Sequence, residues 1–201
     1  MDGPAELAAR KAALRRALAA ERGAVPPERA AVAAEAVAAR LAGSDELGRC
    51  RRVALYAAAG GELPTEPLWR LARARGLPVL WPRVGAGGLE FARCDDAAAL
   101  EPGALGVRAP GTECEASALG PGDLVVVPAL ALDRAGRRLG RGGGHYDRAL
   151  SAPGARESVR VGVGYALQLV DAVPVGEDDE RVDLVVTERE LVRTGARERR
   201  P

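Results

Sequence analysis

The sequence predicts an α/β fold in which helices pack on a mostly parallel β-sheet. Short apolar runs alternate with helical segments along the chain, which is typical of this class. The run DLVVVP (123–128) is almost continuously apolar, as strands buried on both faces of a parallel sheet are. The 201 residues suffice for one domain with a proper core. We therefore expect a single domain over residues 1–201, with a solvated, flexible tail from about residue 194.

The first part of the chain is predicted to be helical. Residues 5–22 are rich in Ala, Leu, Arg and Glu, which are good helix formers, and Gly23 ends the run. Pro26 and Pro27 open a second helix that continues to about Leu41, because proline is tolerated in a first helical turn.

Strands and helices then alternate along the rest of the chain. The predicted elements are a strand at 52–57, a helix at 67–75, strands at 77–82, 89–94 and 123–128, a helix that starts at 145–150, and strands at 158–166 and 181–188. Residues 94–122 are predicted to be mostly irregular, since Pro102, Pro110 and Pro121 punctuate them.

The composition excludes several classes of protein. The 29 basic and 28 acidic residues leave a net charge of +1, which gives no electrostatic footprint for nucleic acid. One histidine excludes a histidine-rich metal site, and three cysteines at wide spacing fit neither a disulfide framework nor a zinc ribbon. No apolar run approaches the roughly 18 residues that a membrane helix needs, and the first residues lack the apolar stretch of a signal peptide. We therefore expect a cytoplasmic protein.

The main chemical signal is the loop at 132–148, LDRAGRRLGRGGGHYDR, which follows a strand and leads into a helix. Its glycines allow backbone amides to turn inward, and the helix start adds partial positive charge, a combination that suits phosphate. The arginines that could donate to phosphate oxygens are Arg134, Arg137, Arg138, Arg141 and Arg148. The loop is neither a Walker A sequence nor a clean dinucleotide fingerprint. The residues alone predict an anion site and leave open a flexible connector.

Two acidic residues are candidate Mg²⁺ ligands, since hard cations take carboxylate and phosphate oxygens. Asp147 lies just inside the helix that follows the loop, and Asp183 stands at the head of a predicted strand. The alternatives are a first-turn acid that interacts favourably with the helix dipole and a solvated residue at a strand start.

Lys11 is the only lysine of the chain. Leu7, Leu14 and Leu18 lie on the same predicted helical face, so this lysine belongs to the stripe that should pack inward. Arg15 lies one turn further on. A buried cation needs a partner, and a bound phosphate would be one. The alternative is a lysine whose stem covers an alanine-rich face while its charge reaches solvent.

Three further residues are candidates for ligand contact. Glu62, in the turn GGELPT, could accept hydrogen bonds from paired N–H donors, although most glutamates in turns are solvated. Tyr146 lies beside the glycines of the loop. His145 could act as a general base, and the alternative is an ordinary polar residue at a helix start. The cysteines have no nearby base and are expected to be inert.

The stretch VVVPALALDRAGRRLGRGGGHYDRAL (125–150) resembles the signature of the 5-formyltetrahydrofolate cyclo-ligase family, also called methenyltetrahydrofolate synthetase. That signature is a strand ending in Pro, followed by Asp-x-x-Gly-x-Arg-Leu-Gly-x-Gly-x-Gly-x-Tyr-Asp-Arg. Weaker motifs of the same family follow in the right order over nearly the whole chain: Lys11-x-x-Leu-Arg15, Tyr56…Gly61-Glu62…Thr65, Leu80-Trp81-Pro82-Arg83, Gly162-x-Gly164-Tyr165…Gln168 and DLVVTE at 183–188.

The resemblance implies an enzyme that uses ATP and Mg²⁺ to convert 5-formyltetrahydrofolate into 5,10-methenyltetrahydrofolate, with release of ADP and phosphate. In this chemistry ATP phosphorylates the formyl oxygen to an imidate phosphate, and the neighbouring folate amine closes the ring. The resemblance also implies a three-layer α/β/α domain. We expect a monomer whose partner is the small-molecule folate, with no nucleic acid and no membrane.

The resemblance assigns roles to individual residues as well. Lys11 and Arg15 would hold the ATP phosphates. The nucleotide loop would comprise Arg138, Leu139, Gly140, Arg141, Gly142, Gly143, Gly144, His145 and Tyr146. Folate would be bound by Glu62, Arg141, Gly142, Gly143, Gly144 and His145. Lys11, Arg141 and Tyr146 would act in catalysis, and Asp147 and Asp183 would bind Mg²⁺.

Three positions depart from the family pattern. His145 stands where the family usually has an aromatic residue, Ala109 replaces a glutamate before Pro110, and Asp178 stands where histidine is frequent. These departures keep two alternatives open, namely a folate- or nucleotide-binding protein without turnover and an ATP-dependent enzyme for a different formamide. The retained Lys11, Asp147 and glycine loop argue against lost turnover.

Overall fold

The computed structural model describes residues 3–85 and 87–196, which form an α/β fold around a seven-stranded sheet. The α-helices of this part are α1 (Pro4–Gly23), α2 (Pro27–Ala42), α3 (Asp45–Arg49), α4 (Glu66–Ala74), α5 (His145–Ser151) and α6 (Pro153–Arg156). The strands are β1 (Arg52–Ala54), β2 (Val79–Gly85), β3 (Gly88–Arg93), β4 (Glu101–Pro102), β5 (Arg108–Ala109), β6 (Asp123–Pro128), β7 (Ala131–Leu132), β8 (Arg138–Leu139), β9 (Val159–Val163), β10 (Leu184–Val186) and β11 (Leu191–Arg193).

The main sheet has the strand order β11-β10-β9-β6-β1-β2-β3. Its five inner strands pair in parallel, and β3 and β11 pair antiparallel at the two edges. Strand β6 lies at the centre, and its residues 124–127 are fully buried. The prediction of a mostly parallel sheet with DLVVVP as a central strand is therefore confirmed.

Helices cover both faces of this sheet. On one face Leu41 of α2 and Leu68 of α4 belong to the same apolar cluster as Val126 of β6. On the other face Leu150 of α5 packs in a cluster with Val125. The structure thus has the three layers that the family resemblance implies. Among the described residues, no helix combines the length and the hydropathy that a membrane span requires.

Helix α1 packs outside the two helical layers that cover the faces of the sheet. Its buried Leu18 belongs to a small separate cluster with Ala131, Leu139 and Val173, which lie in and around the hairpin of β7 and β8. This packing places α1 beside the loop that follows the hairpin, and it brings the N-terminal part of the chain to the ends of the central strands.

Several predicted boundaries are wrong in detail. The strands predicted at 158–166 and 181–188 are shorter, because hydrogen-bonded loops and turns replace the sheet at their ends. Helix α3 and strand β11 were not predicted, and the segment 94–122 contains the pair β4–β5. At the start of the predicted tail, Thr194 Oγ1 donates to Val182 O at 2.7 Å, and Ala196 is buried. Residues 197–201 of the predicted tail lie outside the described residues.

Candidate active site

A cavity of about 290 Å³ lies at the carboxyl ends of the central strands β1, β6 and β2. The segments after β1 (Tyr56, Ala57) and after β6 (Ala129, Leu130) both line it. The chain continues from β1 towards one edge of the sheet and from β6 towards the other, so the cavity lies where the strand order changes direction. Open α/β sheets bind their ligands at this kind of position.

Arg134, Arg137 and Arg148, three of the five loop arginines predicted as phosphate donors, do not line this cavity. The residues to which the family resemblance assigns roles all line it, with the exception of Asp183. They are Lys11, Arg15, Glu62, Arg138, Leu139, Gly140, Arg141, Gly142, Gly143, Gly144, His145, Tyr146 and Asp147. The structure therefore brings together groups from α1, from the segment after β1 and from the glycine loop, which are far apart in the sequence.

Helix α1 supplies two cations to one side of the cavity. Lys11 Nζ donates a hydrogen bond to Asp179 Oδ2, and the lysine side chain is only 17% exposed. Arg15 Nε donates to the backbone oxygen of Gly140 at 2.9 Å. Lys11 is therefore largely buried, and its partner is a carboxylate.

The glycine loop, residues 140–144, passes close to α1. At Gly142 (φ 107°) an added Cβ would stand 3.4 Å from Arg15 Cζ, so a side chain there would crowd the guanidinium. Gly144 has a φ of 65° and caps the start of α5, a conformation that glycine adopts without steric cost. These two positions explain why the loop needs glycine to run along the cavity.

Asp147 forms a second acid–base pair at the cavity. Its Oδ1 lies 2.5 Å from an amine nitrogen of Arg138, whose side chain is 3% exposed, and it also accepts from the backbone N of Glu180 at 3.2 Å. The Arg138 guanidinium lies 6.0 Å from the ring centre of Tyr146. Because Glu180 follows Asp179 directly, these contacts bring Asp179 to the same side of the cavity as Asp147.

Asp183 was predicted to bind Mg²⁺ together with Asp147, but the structure does not place Asp183 at the cavity. Asp183 immediately precedes β10, at the amino end of that strand, and it does not line the cavity. Its Oδ2 accepts the backbone N–H of Arg160 at 2.8 Å in a buried setting. The cavity carboxylate near Asp147 is instead Asp179. No cluster of three or more His, Cys, Asp or Glu suited to a metal occurs among the described residues.

Glu62 also lines the cavity, in the segment 57–63, which we name the strap. Its side chain is 9% exposed, with Oε1 3.0 Å from an amine nitrogen of Arg141. Its Oε2 accepts the backbone N–H of Ala59 at 3.0 Å, and Arg141 donates to Ala59 O at 2.8 Å. The carboxylate is therefore fixed in orientation and largely shielded from water.

Tyr146 and His145 place polar atoms next to the cavity. The Tyr146 hydroxyl and His145 Nδ1 are both buried and have no hydrogen-bond partner among the described residues. Burial raises the pKa of Tyr146 well above its usual value, and the charge of Glu62 raises it further. The phenol therefore stays protonated near neutral pH. Phe91 holds the ring edge-on, with the ring centres 6.4 Å apart.

An apolar part of the wall, next to Arg83, was not predicted from the sequence. It consists of Val84, Leu89, Ala104, Val107 and Ala109, which come from β2, β3 and the irregular segment after them. Ala109, one of the three departures from the family pattern, thus belongs to the cavity. Asp178 is exposed and does not line it.

Sequence reasoning also missed Arg22 and Asp179. Arg22 lies seven residues after Arg15 on the same face of α1, and this spacing is a signal that could have revealed it. Asp179 stands next to Asp178, but its position depends on a turn before β10 that carries no clear sequence signal.

The chain is similar to known proteins of one enzyme family. Residues 7–188 match the sequence model of the 5-formyltetrahydrofolate cyclo-ligase family. The 5-formyltetrahydrofolate cyclo-ligase of Escherichia coli (strain K12) is 36% identical over 140 residues, which cover 67% of this chain and 76% of that protein. A probable 5-formyltetrahydrofolate cyclo-ligase of Caenorhabditis elegans is 27% identical over 170 residues, covering 79% and 82% of the two chains.

Two solved structures share the fold. The NMR structure of Aquifex aeolicus 5,10-methenyltetrahydrofolate synthetase aligns with a TM-score of 0.78 and 31% identity over 92% of each chain. The 5,10-methenyltetrahydrofolate synthetase of Mycoplasma pneumoniae aligns with a TM-score of 0.70 over 89% of this chain and 98% of that one, and its 20% identity supports the fold alone. The match over residues 7–188, together with the Escherichia coli relative, shows that this chain belongs to the 5-formyltetrahydrofolate cyclo-ligase family.

Proposed function

We propose that this protein cyclises 5-formyltetrahydrofolate to 5,10-methenyltetrahydrofolate in a reaction that requires ATP and Mg²⁺ and releases ADP and phosphate. One observation carries the proposal: a single cavity joins a cationic, glycine-rich side to a buried carboxylate and an apolar wall. Phosphates suit the first side, and a heteroaromatic ring with N–H donors suits the second.

The proposed chemistry has two steps. The formyl oxygen attacks the γ-phosphorus of ATP, the bond to the ADP oxygen breaks, and an imidate phosphate forms. The neighbouring amine then attacks the formyl carbon and loses its proton, and the C–O bond breaks to release phosphate. Such a reaction depends on positioning and charge neutralisation. In agreement with this, no Ser, Thr or Cys is found among the described residues that line the cavity.

Lys11, Arg15 and Arg138 are the proposed phosphate ligands. Lys11 is paired with Asp179, and Arg138 is paired with Asp147. These ion pairs hold the two cationic groups at the cavity. Bound phosphate oxygens would replace these carboxylates as partners of the two cations. The backbone N–H groups of residues 140–144 are further candidate donors to phosphate.

Asp147 and Asp179 are the proposed Mg²⁺ ligands. Carboxylate oxygens are the ligands this cation prefers, and both side chains line the cavity on the side of the phosphate-binding cations. Bound Mg²⁺ would neutralise phosphate charge. The sequence-based choice of Asp183 is replaced by Asp179, because Asp183 does not line the cavity.

Glu62 is the proposed folate ligand. Ala59 N and Arg141 fix the orientation of its carboxylate, and a carboxylate can still accept hydrogen bonds from two adjacent N–H groups of a folate ring. Tyr146 lines the same cavity, with its ring centre 6.0 Å from the Arg138 guanidinium. The apolar wall would cover the faces of the ring.

The experiment mixes purified protein with 5-formyltetrahydrofolate and MgATP and follows the absorbance of the methenyl product. Product that forms only when folate, ATP and Mg²⁺ are all present supports the proposal. Folate binding without product would favour a non-catalytic binding protein. ATP consumption with a different formamide, and none with this folate, would favour an enzyme with another substrate.

A further inference from the structure

We infer that Arg22 is a positioning residue for the folate side of the cavity, because it fixes the strap that carries Glu62 against the turn after β6. The identity of the ligand in this inference rests on the proposed function. The Arg22 guanidinium donates to Gly60 O and Ala129 O, which belong neither to the glycine loop nor to the paired acids, so its role is distinct from that of Lys11 and Arg15.

One guanidinium bridges two segments of the cavity wall. Arg22 lies in the last turn of α1 and is only 5% exposed. One of its amine nitrogens donates to Gly60 O at 2.9 Å, and the other donates to Ala129 O at 3.3 Å. Gly60 belongs to the strap after β1, and Ala129 belongs to the turn after β6. The planar fork of arginine is suited to holding two acceptors at once.

The strap also packs directly on the end of α1. Gly61 has a φ of 76°, and a Cβ added there would stand 3.4 Å from Arg22 O and 3.5 Å from Gly23 Cα. From the other side Arg141 donates to Ala59 O at 2.8 Å. The strap is therefore held between the end of α1 and the glycine loop, and the α1 side of this arrangement depends on Arg22 and on the absence of a side chain at Gly61.

Arg22 and Glu62 also interact electrostatically. Burial lowers the pKa of Arg22, and the negative charge of Glu62 is the main effect that opposes this lowering. A second cation close to Glu62 is Arg141, whose side chain is half exposed. Loss of the Arg22 fork would therefore change both the position of the strap and the field at the Glu62 carboxylate.

The distance along α1 separates this role from phosphate binding. Arg22 follows Lys11 by eleven residues, which places the two about 16 Å apart along the helix axis. Glu62 is the proposed folate ligand, whereas Lys11 is a proposed ATP ligand. A change at Arg22 should thus weaken folate binding and leave ATP binding nearly unchanged.

The test compares Arg22→Lys with wild type in steady-state kinetics for both substrates. Lysine keeps the positive charge but has no planar fork that can bridge Gly60 O and Ala129 O. We expect the KM for 5-formyltetrahydrofolate to rise about tenfold and the KM for ATP to change less than about twofold. Arg16→Lys is the matched control, since Arg16 is exposed on the same helix, and both of its KM values should equal those of wild type.

A second variant tests the strap without altering Arg22. Gly61→Ala places a methyl group against the backbone of residues 22 and 23 at a positive φ, so it should move the strap and raise the folate KM in the same selective way. Thermal unfolding of each variant checks folding, and Gly61→Ala carries the test if Arg22→Lys does not fold. The inference is overturned if folded variants keep the wild-type folate KM, or if both KM values rise by the same factor.

The role of Arg22 can be tested even if the proposed enzymatic function is wrong. If the wild-type protein forms no methenyl product, equilibrium binding of 5-formyltetrahydrofolate replaces the kinetics. A roughly tenfold weaker affinity of Arg22→Lys would then support the positioning role of Arg22. Equal affinities, or no binding by wild type, would overturn it.

Discussion

Lys11 and Asp179 form an ion pair at the cavity, although 168 positions separate them in the chain. Arg138 and Asp147 form a second such pair only nine positions apart. In both pairs a cation proposed to bind phosphate faces a carboxylate proposed to bind Mg²⁺. Each of these two pairs is therefore neutral before any ligand binds, so a substitution of one partner also changes the charge around the other.

Lys11→Ala should lower the rate of methenyl formation by at least about 100-fold, because it removes a cation directed at the transferred phosphoryl group. The fold should persist, since Lys11 and Asp179 are both partly exposed and water can solvate the remaining carboxylate. Turnover and thermal unfolding measure the two effects, with the exposed Arg16→Ala as the control. A wild-type rate for Lys11→Ala would contradict the phosphate role.

The variants Asp179→Asn and Asp183→Ala should distinguish the proposed metal-binding role of Asp179 from a structural role of Asp183. Asp179→Asn should raise the Mg²⁺ concentration for half-maximal activity about tenfold, because one carboxylate charge is lost from the site. Asp183→Ala should leave that concentration unchanged but lower the free energy of unfolding by roughly 1–3 kcal/mol, since it removes the acceptor of the buried Arg160 N–H. Mg²⁺ titrations at fixed ATP and urea unfolding provide the data. The opposite pattern would restore the assignment to Asp183.

The variants Asp147→Asn and Asp147→Ala should differ in their free energy of unfolding but lose similar amounts of turnover. Both Asp147→Asn and Asp147→Ala should lose about 100-fold or more in turnover, because neither supplies a carboxylate to Mg²⁺. Asp147→Ala should also unfold more easily, by roughly 2–3 kcal/mol, since it leaves the buried Arg138 without its ion-pair partner. Turnover and urea unfolding would show this, and an active Asp147→Asn variant would argue against a metal role.

The stability of the protein should decrease above about pH 10, the pKa of tyrosine in an unfolded chain. Burial raises the pKa of Tyr56 and Tyr146 in the folded state, so the unfolded chain releases these protons first as the pH rises. Their contribution is therefore complete below about pH 10 and is lost at higher pH. Tyr146→Phe should reduce this alkaline loss of unfolding free energy.

Tyr56→Phe is the matched comparison. At neutral pH Tyr146→Phe should cost little stability, because the Tyr146 hydroxyl has no hydrogen-bond partner among the described residues. Tyr56→Phe should cost about 1 kcal/mol, because it removes the 2.8 Å hydrogen bond to Leu63 O. Urea unfolding at neutral and alkaline pH tests both expectations. The turnover of Tyr146→Phe tests the predicted catalytic role of Tyr146.

Much of the fold was predictable because its signals are local. Helix formers between residues 5 and 22 predicted α1 almost to its observed ends, Pro4 and Gly23, and the apolar run 123–128 predicted β6. The glycine loop was predictable for the same reason, since its residues are contiguous. Residues that are adjacent in the sequence stay close together in the folded protein, so a contiguous motif can be recognised without knowledge of the tertiary contacts.

The parts that were missed depend on tertiary contacts. Asp179 and Asp183 are four residues apart, and only the turn before β10 decides which one reaches the cavity. Arg22 was missed because the alanines of α1 give a broad, weakly marked apolar face. The apolar wall comes largely from the segment 94–122, whose residues have no periodic pattern to indicate their orientation.

The central position of β6 determines when a growing chain can acquire its site. β6 pairs with β1, which is synthesised earlier, and with β9, which is synthesised later. A nascent chain that already contains the glycine loop still lacks β9 and the carboxylate of Asp179. A ribosome-bound chain should therefore lack the complete cavity until residue 179 has left the exit tunnel.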